Sequence, residues 1–309
     1  MKYLVTGAAG FIGSHLARAL LHGESRVIGV DNFTDYYDRR LKEANIKDLR
    51  NYSNFTLLDM DVAELSEREL EGVGVVFHQA AQAGVRKSWG KSFDAYTHNN
   101  ILATQKLLEV CRFIPLEKFV YASSSSIYGE VAELPVSENA YPQPVSPYGV
   151  SKLAGEHLGN LYYYNYNVPV VSLRYFTVYG PGQRPDMAFN IFIRSLLENR
   201  PLYVYGDGEQ TRDFTYIDDA VDANLAAADV TGVEGKIFNV GGGSQVTVNQ
   251  VIAILEELTE RKARVEFQQP QKGDPRHTFA DTSSARKLLG FDPRVDLRYG
   301  LRRQVASLK

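Results

Sequence analysis

The chain has one cysteine, Cys111, so no disulfide can close within it. That residue falls in the helical pattern NILATQKLLEVC, where a thiol packed in the core is the expectation. Basic charge is not in excess: 34 Lys and Arg face 37 Asp and Glu, a formal net charge of -3. The broad positive footprint of a nucleic-acid binder is therefore missing, while local arginines remain free to hold a small anion. No apolar run reaches the roughly 18 residues that a membrane-spanning helix requires. The first 20 residues lack the basic region and cleavage site of a secretory leader. The expectation is a soluble protein of a reducing cytoplasm. Histidines at 15, 22, 78, 98, 157 and 277 show no HExxH or similar spacing, so no metal is expected. Asp213, Asp218 and Asp219 are acidic neighbours, but RDFTYIDDAV reads as the start of a capped helix with a ribose or phosphate contact. Internal repeats and low-complexity tails are also absent.

What is present begins at residue 2. KYLVT reads as a buried parallel strand, and Gly7, Gly10 and Gly13 follow at three-residue spacing into an amphipathic helix. Glycines there allow a tight turn, close approach of a pyrophosphate, and close packing of helix on strand. The helix N-terminus offers free N–H groups to phosphates. A second strand, 26–30, ends at Asp31, whose carboxylate suits the hydroxyls of an adenosine ribose and repels a 2′-phosphate. Strand, glycines, helix, strand and acid in register predict NAD as cofactor, in preference to NADP.

Length and rhythm predict an α/β protein with two interleaved domains. Strands are expected at 2–6, 26–30, 54–58, 73–77, 118–123 and 168–174, and helices at 12–22, 36–49, 96–112 and 148–165. This is the alternation of a Rossmann-type doubly wound parallel sheet. Gly and Pro cluster at 179–185, so residues 1–176 are read as the cofactor domain and 177–309 as a smaller substrate domain. A segment near 213–243 is expected to return to the first domain, because KIFNVGG resembles one more core strand. Further helices are expected at 187–199 and 247–260, a strand at VEFQQ, and SSARKLLGF as the short final helix.

SPYGVSK supplies the second chemical feature. Ser146 caps a helix, Pro147 suits its first turn, and Tyr148 and Lys152 lie four apart on one face. A tyrosine is a poor base unless its phenolate is favoured, since its reference pKa is about 10. A nearby ammonium and an oxidised nicotinamide both favour it, so Tyr148 can take a proton from an alcohol. Lys152 can also hold the nicotinamide ribose. FVYASSSSIYG runs from a buried strand into four serines at the carboxyl end of that strand, where a hydroxyl can bridge substrate and Tyr148. The tyrosine-rich 161–167 stretch points to core packing or a subunit contact. Tyr203 and Tyr205, beside GDGEQTRDF, have the better claim to a ligand.

Together GAAGFIG, DNF, HQAAQAGVR, NNILAT, SSSSIYG, YGVSK, RYFTVYGP, GDGEQTRDFTYIDD and KGDPRHTFAD resemble the extended short-chain dehydrogenase/reductase family, in its nucleotide-sugar epimerase branch. Segments such as DNFTDYYDRRLKEA and RYFTVYGPGQRPDMAF are most similar to UDP-glucuronate 4-epimerases. The resemblance implies a UDP-sugar substrate and a homodimer built through helices 96–112 and 148–165, while charge and hydropathy predict no nucleic-acid or membrane partner. It implies Ser124, Tyr148 and Lys152 as the catalytic set. For the cofactor it implies Gly7, Gly10, Phe11, Ile12 and Gly13, then Asp31, Asn32, Asp61 and Val62, then Ala80 and Asn99. For the substrate it implies Ser125, Ser126, Thr177 and Arg184 around a C6 carboxylate, with Tyr205, Arg212 and Asp274 toward the nucleotide. Ser125 and Ser126 stand where a sugar dehydratase carries an Asp-Glu pair, which points away from loss of water. An epimerase needs neither acid. It oxidises C4 to a ketone, lets the pyranose turn over, and returns the hydride to the other face. A UDP-glucose 4-epimerase usually has Asn where Thr177 stands, so the acidic sugar is favoured.

Overall fold

The computed structural model describes every residue from Met1 to Lys309. Six strands alternate with helices in the first half: β1 (Lys2–Thr6), β2 (Arg26–Asp31), β3 (Phe55–Asp59), β4 (Val75–His78), β5 (Lys118–Ser124) and β6 (Val170–Tyr175). Six further strands follow: β7 (Thr177–Tyr179), β8 (Leu202–Tyr205), β9 (Thr211–Tyr216), β10 (Ile237–Val240), β11 (Gln245–Thr247) and β12 (Val265–Gln268). The main sheet has seven parallel strands in the order β10-β6-β5-β4-β1-β2-β3. Every residue of β4, β5 and β6 is buried, as expected where helices cover both faces of a parallel sheet.

Helices Phe11–His22 and Ile217–Asp229 pack together on one face, with Leu16, Ala17 and Leu20 in the same apolar cluster as Ala220 and Ala223. Helices Ala103–Cys111 and Pro147–Tyr166 cover the other face, with Leu107, Leu108 and Cys111 clustered against Tyr162. Cys111 is thus a core thiol, and burial pushes its pKa up. The chain moves outward from β1 to β3, then returns to place β4 on the other side of β1. Such a reversal leaves a crevice beyond the carboxyl ends of β1 and β4. Two small sheets complete the molecule: β11-β9-β7, and β12 paired with β8.

Three local expectations need correction. The helix expected over 36–49 is shorter, Arg39–Asn45 with a separate turn at Leu49–Asn51. The helix expected over 96–112 is interrupted by a wide π turn, Thr97–Leu102, between Phe93–Tyr96 and Ala103–Cys111. Ser283–Leu289 is not the last helix. Leu297–Leu308 follows, capped by Asp296, which accepts hydrogen bonds from the backbone N–H groups of Arg298 and Tyr299. That helix carries three arginines among its 12 residues, but Leu301, Gln304 and Val305 are buried. Tertiary burial of a narrow stripe supplied what the composition concealed. No helix is long and apolar enough to cross a membrane.

Candidate active site

The crevice is a cleft of about 1120 Å³ including its open mouth. Its floor is the turn after β1. Gly7 has φ +67°, and a Cβ there would lie 2.8 Å from Ala80 N, at the end of β4. A Cβ on Gly13 would lie 2.2 Å from Gly7 O, so the helix closes on the strand only because both residues are glycine. Gly10 caps helix Phe11–His22 with no side chain over its first N–H groups. The residues present therefore fit a dinucleotide: the turn closes tightly, and the first N–H groups of the helix, uncapped by any side chain, border the cleft. Gly7, Gly10, Phe11, Ile12 and Gly13 all line this cleft, as do Asp31 and Asn32. Asp61, Val62, Ala80 and Asn99 line it as well.

Asp31 sits at the end of β2. Its carboxylate accepts from Ala9 N at 3.1 Å and Phe33 N at 2.9 Å, so it holds the glycine turn in addition to facing the cleft. Lys42 Nζ stands 3.5 Å from Asp31 Oδ1, with both side chains buried. It is the only buried residue of its short helix and also lines the cleft. Sequence reasoning missed it, because nothing marks one lysine of RRLKEAN as the inward one. Asp61 accepts from Ala63 N, Asn32 Nδ2 and His98 Nε2. Its burial pushes the pKa up, but these donors outweigh that and hold it below the usual carboxylate value.

The π turn sets the neighbouring asparagines apart. Asn99 faces the cleft and donates to Ala95 O. Asn100 is buried, donating to Gln82 O and Ser151 Oγ and accepting from Gln82 N. It ties the loop after β4 to the catalytic helix. His78, at the end of β4, is fully buried between Thr6 and Thr104 at 2.8 and 2.9 Å. Thr104 donates its own proton to Asn100 O, so His78 Nε2 carries the hydrogen and Nδ1 accepts from Thr6. Burial, with a further push from Lys152, lowers its pKa to about 3.

Helix Pro147–Tyr166 begins at Ser146, whose hydroxyl accepts from Gly149 N at 3.1 Å. Its inner face carries Tyr148 and Lys152 into the cleft. Burial raises the Tyr148 pKa, while the Ser124 hydroxyl and the Arg184 guanidinium pull it back toward the phenolate. Lys152 is buried with Nζ 4.6 Å from the centre of the Tyr121 ring, and burial lowers its pKa to about 7 against the attraction of Glu156. Glu156, one turn further on, accepts from Ser123 Oγ at 2.7 Å and from Arg174 Nη2 at 2.6 Å. Ser123 lines the cleft with its hydroxyl bonded to Glu156, while Ser124 lies outside the lining and acts on the Tyr148 phenol through its hydroxyl.

The residues expected to hold substrate divide into two groups. Arg184 lines the cleft, and its guanidinium is paired with Asp186 at 3.0 Å. Ser125, Ser126 and Thr177 do not line the cleft; Ser125 and Ser126 form a tight turn after β5, and Thr177 begins β7 opposite Phe214. Tyr205, Arg212 and Asp274 gather apart from it around Arg86. The Arg86 guanidinium lies 4.3 Å from the Tyr205 ring centre and 2.9 Å from Asp274 Oδ2. Arg212 donates to Thr211 O and Arg276 O, and burial lowers its pKa despite the nearby Asp274. Arg86 was legible only as the last residue of HQAAQAGVR. The loop bearing Asp274 packs on the catalytic helix start, with a Cβ at Gly273 falling 3.2 Å from Ser146 Cβ.

The sequence and the fold are matched in known proteins. The family model for the NAD dependent epimerase/dehydratase family matches residues 3–241. A Bacillus subtilis (strain 168) protein described as an uncharacterized UDP-glucose epimerase, YtcB, is 46% identical over 100% of this chain and 98% of its own. The crystal structure of UDP-glucuronic acid 4-epimerase from Bacillus cereus with UDP-glucuronic acid and NAD superposes with a TM-score of 0.97. It is 46% identical and covers 100% of this chain and 99% of that one. A tyrosine-to-phenylalanine mutant of that enzyme, with UDP-4-deoxy-4-fluoro-glucuronic acid and NAD, matches with the same TM-score, identity and coverage. The chain belongs to the NAD dependent epimerase/dehydratase family.

Proposed function

We propose that the protein is an NAD-dependent 4-epimerase that interconverts UDP-glucuronate and UDP-galacturonate. Residues 1–176, with the returning segment near 213–243, hold the cofactor, and the remainder of 177–309 holds the UDP-sugar. When bound, NAD takes up a hydride from sugar C4 and gives it back. The chain's own residues handle the proton and the orientation. Tyr148 Oη takes the proton of the C4 hydroxyl, Ser124 shares that oxygen, and Lys152 favours the phenolate. In the return direction Tyr148 donates the proton to the same oxygen. The cluster of Arg86, Tyr205, Arg212 and Asp274 suits a nucleoside diphosphate, with two cations, a stacking ring and a carboxylate. Held at that end, the sugar is free to turn its other face to the cofactor.

The observation that carries the acidic sugar is Arg184. Its guanidinium lines the same cleft as Tyr148 and acts electrostatically on that phenol. A C6 carboxylate in such a place needs hydrogen bonds and a compensating charge. One observation favours a second reading, a UDP-glucose/UDP-galactose 4-epimerase: Arg184 already has an anionic partner in Asp186. Initial rates of the purified protein on UDP-glucuronate and on UDP-glucose separate the two. A clear preference for UDP-glucuronate is expected, and a preference for UDP-glucose overturns the acidic assignment. A scaffold without catalysis, a third reading, requires no turnover of either sugar nucleotide.

The enzyme works as a homodimer through the helices over 93–111 and 147–166. Leu102 on the first, and Val150, Leu161 and Tyr164 on the second, are exposed. Exposed apolar residues on adjacent helices suit a four-helix interface between two copies. Sedimentation at micromolar concentration checks this, and a fully active monomer would reject it.

A further inference from the structure

The Arg184–Asp186 pair has an orientation. Nε donates to Asp186 Oδ1 at 3.0 Å and Nη2 to Asp186 Oδ2 at 3.1 Å, so the aspartate takes the guanidinium by one edge. Nη1 donates to no protein group, which leaves the opposite edge of the fork, Nη1 with the second hydrogen of Nη2, available. Arg184 lines the cleft and Asp186 does not. The arginine is therefore in front and the aspartate behind it.

Asp186 is itself braced. Tyr36, from the loop after β2, donates its hydroxyl to Asp186 Oδ2 at 3.1 Å. The two residues are 150 positions apart in the chain, so the contact joins the cofactor side of the cleft to the crossing between the two halves. Tyr36 also lines the cleft, and its hydroxyl fits only because residue 84 is glycine: a Cβ there would lie 2.2 Å from it.

We propose that Asp186, held by Tyr36, is a positioning residue for acid recognition: it fixes Arg184 by the Nε–Nη2 edge so that the other edge meets the C6 carboxylate of the UDP-sugar. This rests on the reading of the site as one for a UDP-uronic acid. The arrangement explains how a paired arginine can still serve an anion. A guanidinium can take two carboxylates at once, one on each edge, and the first reduces the freedom lost when the second binds. Selection of the acid then comes from direction more than from net charge, since the Arg184–Asp186 pair is neutral as a unit.

That distinction fixes the sign of the test. Removing the Asp186 charge leaves Arg184 uncompensated. If charge alone attracted the substrate, Asp186→Asn would improve UDP-glucuronate. If Asp186 positions the fork, the same change costs it. The measurement is kcat and KM of the holoenzyme on UDP-glucuronate and UDP-glucose, with the Kd of UDP alone by calorimetry. Asp186→Asn is expected to lower kcat/KM for UDP-glucuronate about 10- to 100-fold, mostly through KM, as for a lost charge-assisted contact. UDP-glucose turnover and UDP affinity are expected to stay within about twofold, because neither presents a carboxylate there. Tyr36→Phe is expected to act in the same direction by about two- to fivefold, the loss of one hydrogen bond. Unchanged or improved UDP-glucuronate kinetics in Asp186→Asn overturns the proposal. So does an equal loss on both sugars or a loss of UDP affinity, which would make the pair merely structural. Arg184→Ala separates the two levels. A selective loss on UDP-glucuronate in Arg184→Ala without one in Asp186→Asn rejects the clamp alone. No selective loss in Arg184→Ala rejects the clamp, while the wild-type preference between the two sugars decides the acidic reading beneath it.

Discussion

Two glycine-rich turns meet the cleft, and they are built in different ways. In the turn after β1, the glycines are demanded by backbone: a Cβ on Gly13 would meet Gly7 O at 2.2 Å, and one on Gly7 would meet Ala80 N at 2.8 Å. In the crossing that carries Arg184, a Cβ on Gly182 would find nothing nearer than His15 Nε2 at 3.5 Å, an ordinary contact. There the precision comes from side chains drawn from far apart, Tyr36 with Asp186 and His15 with Pro181 O. A cradle made of backbone has few sequence solutions. A pocket made of paired side chains has many. The cofactor end of the cleft is therefore a fixed part, and on the proposed function substrate choice is set at the other end.

Tyr148→Phe should have the largest effect and should fall on neither turn. Turnover is expected to drop about 10²- to 10⁴-fold with NAD retention nearly unchanged, because the ring stays and only the proton acceptor is lost. Single-turnover kinetics with measured cofactor content would check it, and near-normal turnover would place the base elsewhere. Next in size is Gly13→Ala, which strikes the backbone cradle directly. Overpacking against Gly7 O costs about 1–3 kcal/mol, so NAD affinity is expected to fall about 10- to 100-fold. Gly182→Ala, a left-handed position whose Cβ would make only ordinary contacts, should spare NAD binding and lose only stability. Titration of both apoproteins with NAD reads the contrast, and equal losses would erase the distinction drawn here.

His78 tests whether side chains also brace the cofactor end. Its folded pKa of about 3 lies below the unfolded value of 6.5, so the unfolded chain binds the extra proton. Its contribution to stability is whole above pH 6.5 and is lost as pH falls toward 3. By pH 5 the loss is about 2 kcal/mol. Thermal melts of wild type and His78→Gln should converge as pH drops from 7 to 5, and parallel curves would contradict the assignment. The smallest effect is expected at Asp31, which holds the turn as well as facing the cleft. Asp31→Ala should weaken NAD and narrow its advantage over NADP by about tenfold, measured as a ratio of dissociation constants. An unchanged ratio would show that the carboxylate serves the turn alone.

The same contrast explains what was legible in the sequence. The parallel sheet, the glycine turn, Asp31 and the Tyr148–Lys152 pair follow from local spacing, and β10 followed from a short apolar run. The small strands β7, β9 and β11 were not legible, since three to six residues each pair only with one another across long loops. Lys42 was not legible because its inward direction depends on Asp31 rather than on its own neighbours. Nor was the Tyr36–Asp186 contact, because its two residues lie 150 positions apart in the chain. The four serines could not be ranked by spacing. Burial and the Glu156–Ser123 bond separate them.

The most direct test of the account follows one atom. UDP-glucuronate carrying deuterium at C4 is incubated with the purified enzyme in ordinary water until both epimers are present. The account predicts UDP-galacturonate that keeps deuterium at C4, at a rate slowed by the heavier isotope. Loss of the label to solvent, or a product altered at any other carbon, would contradict it.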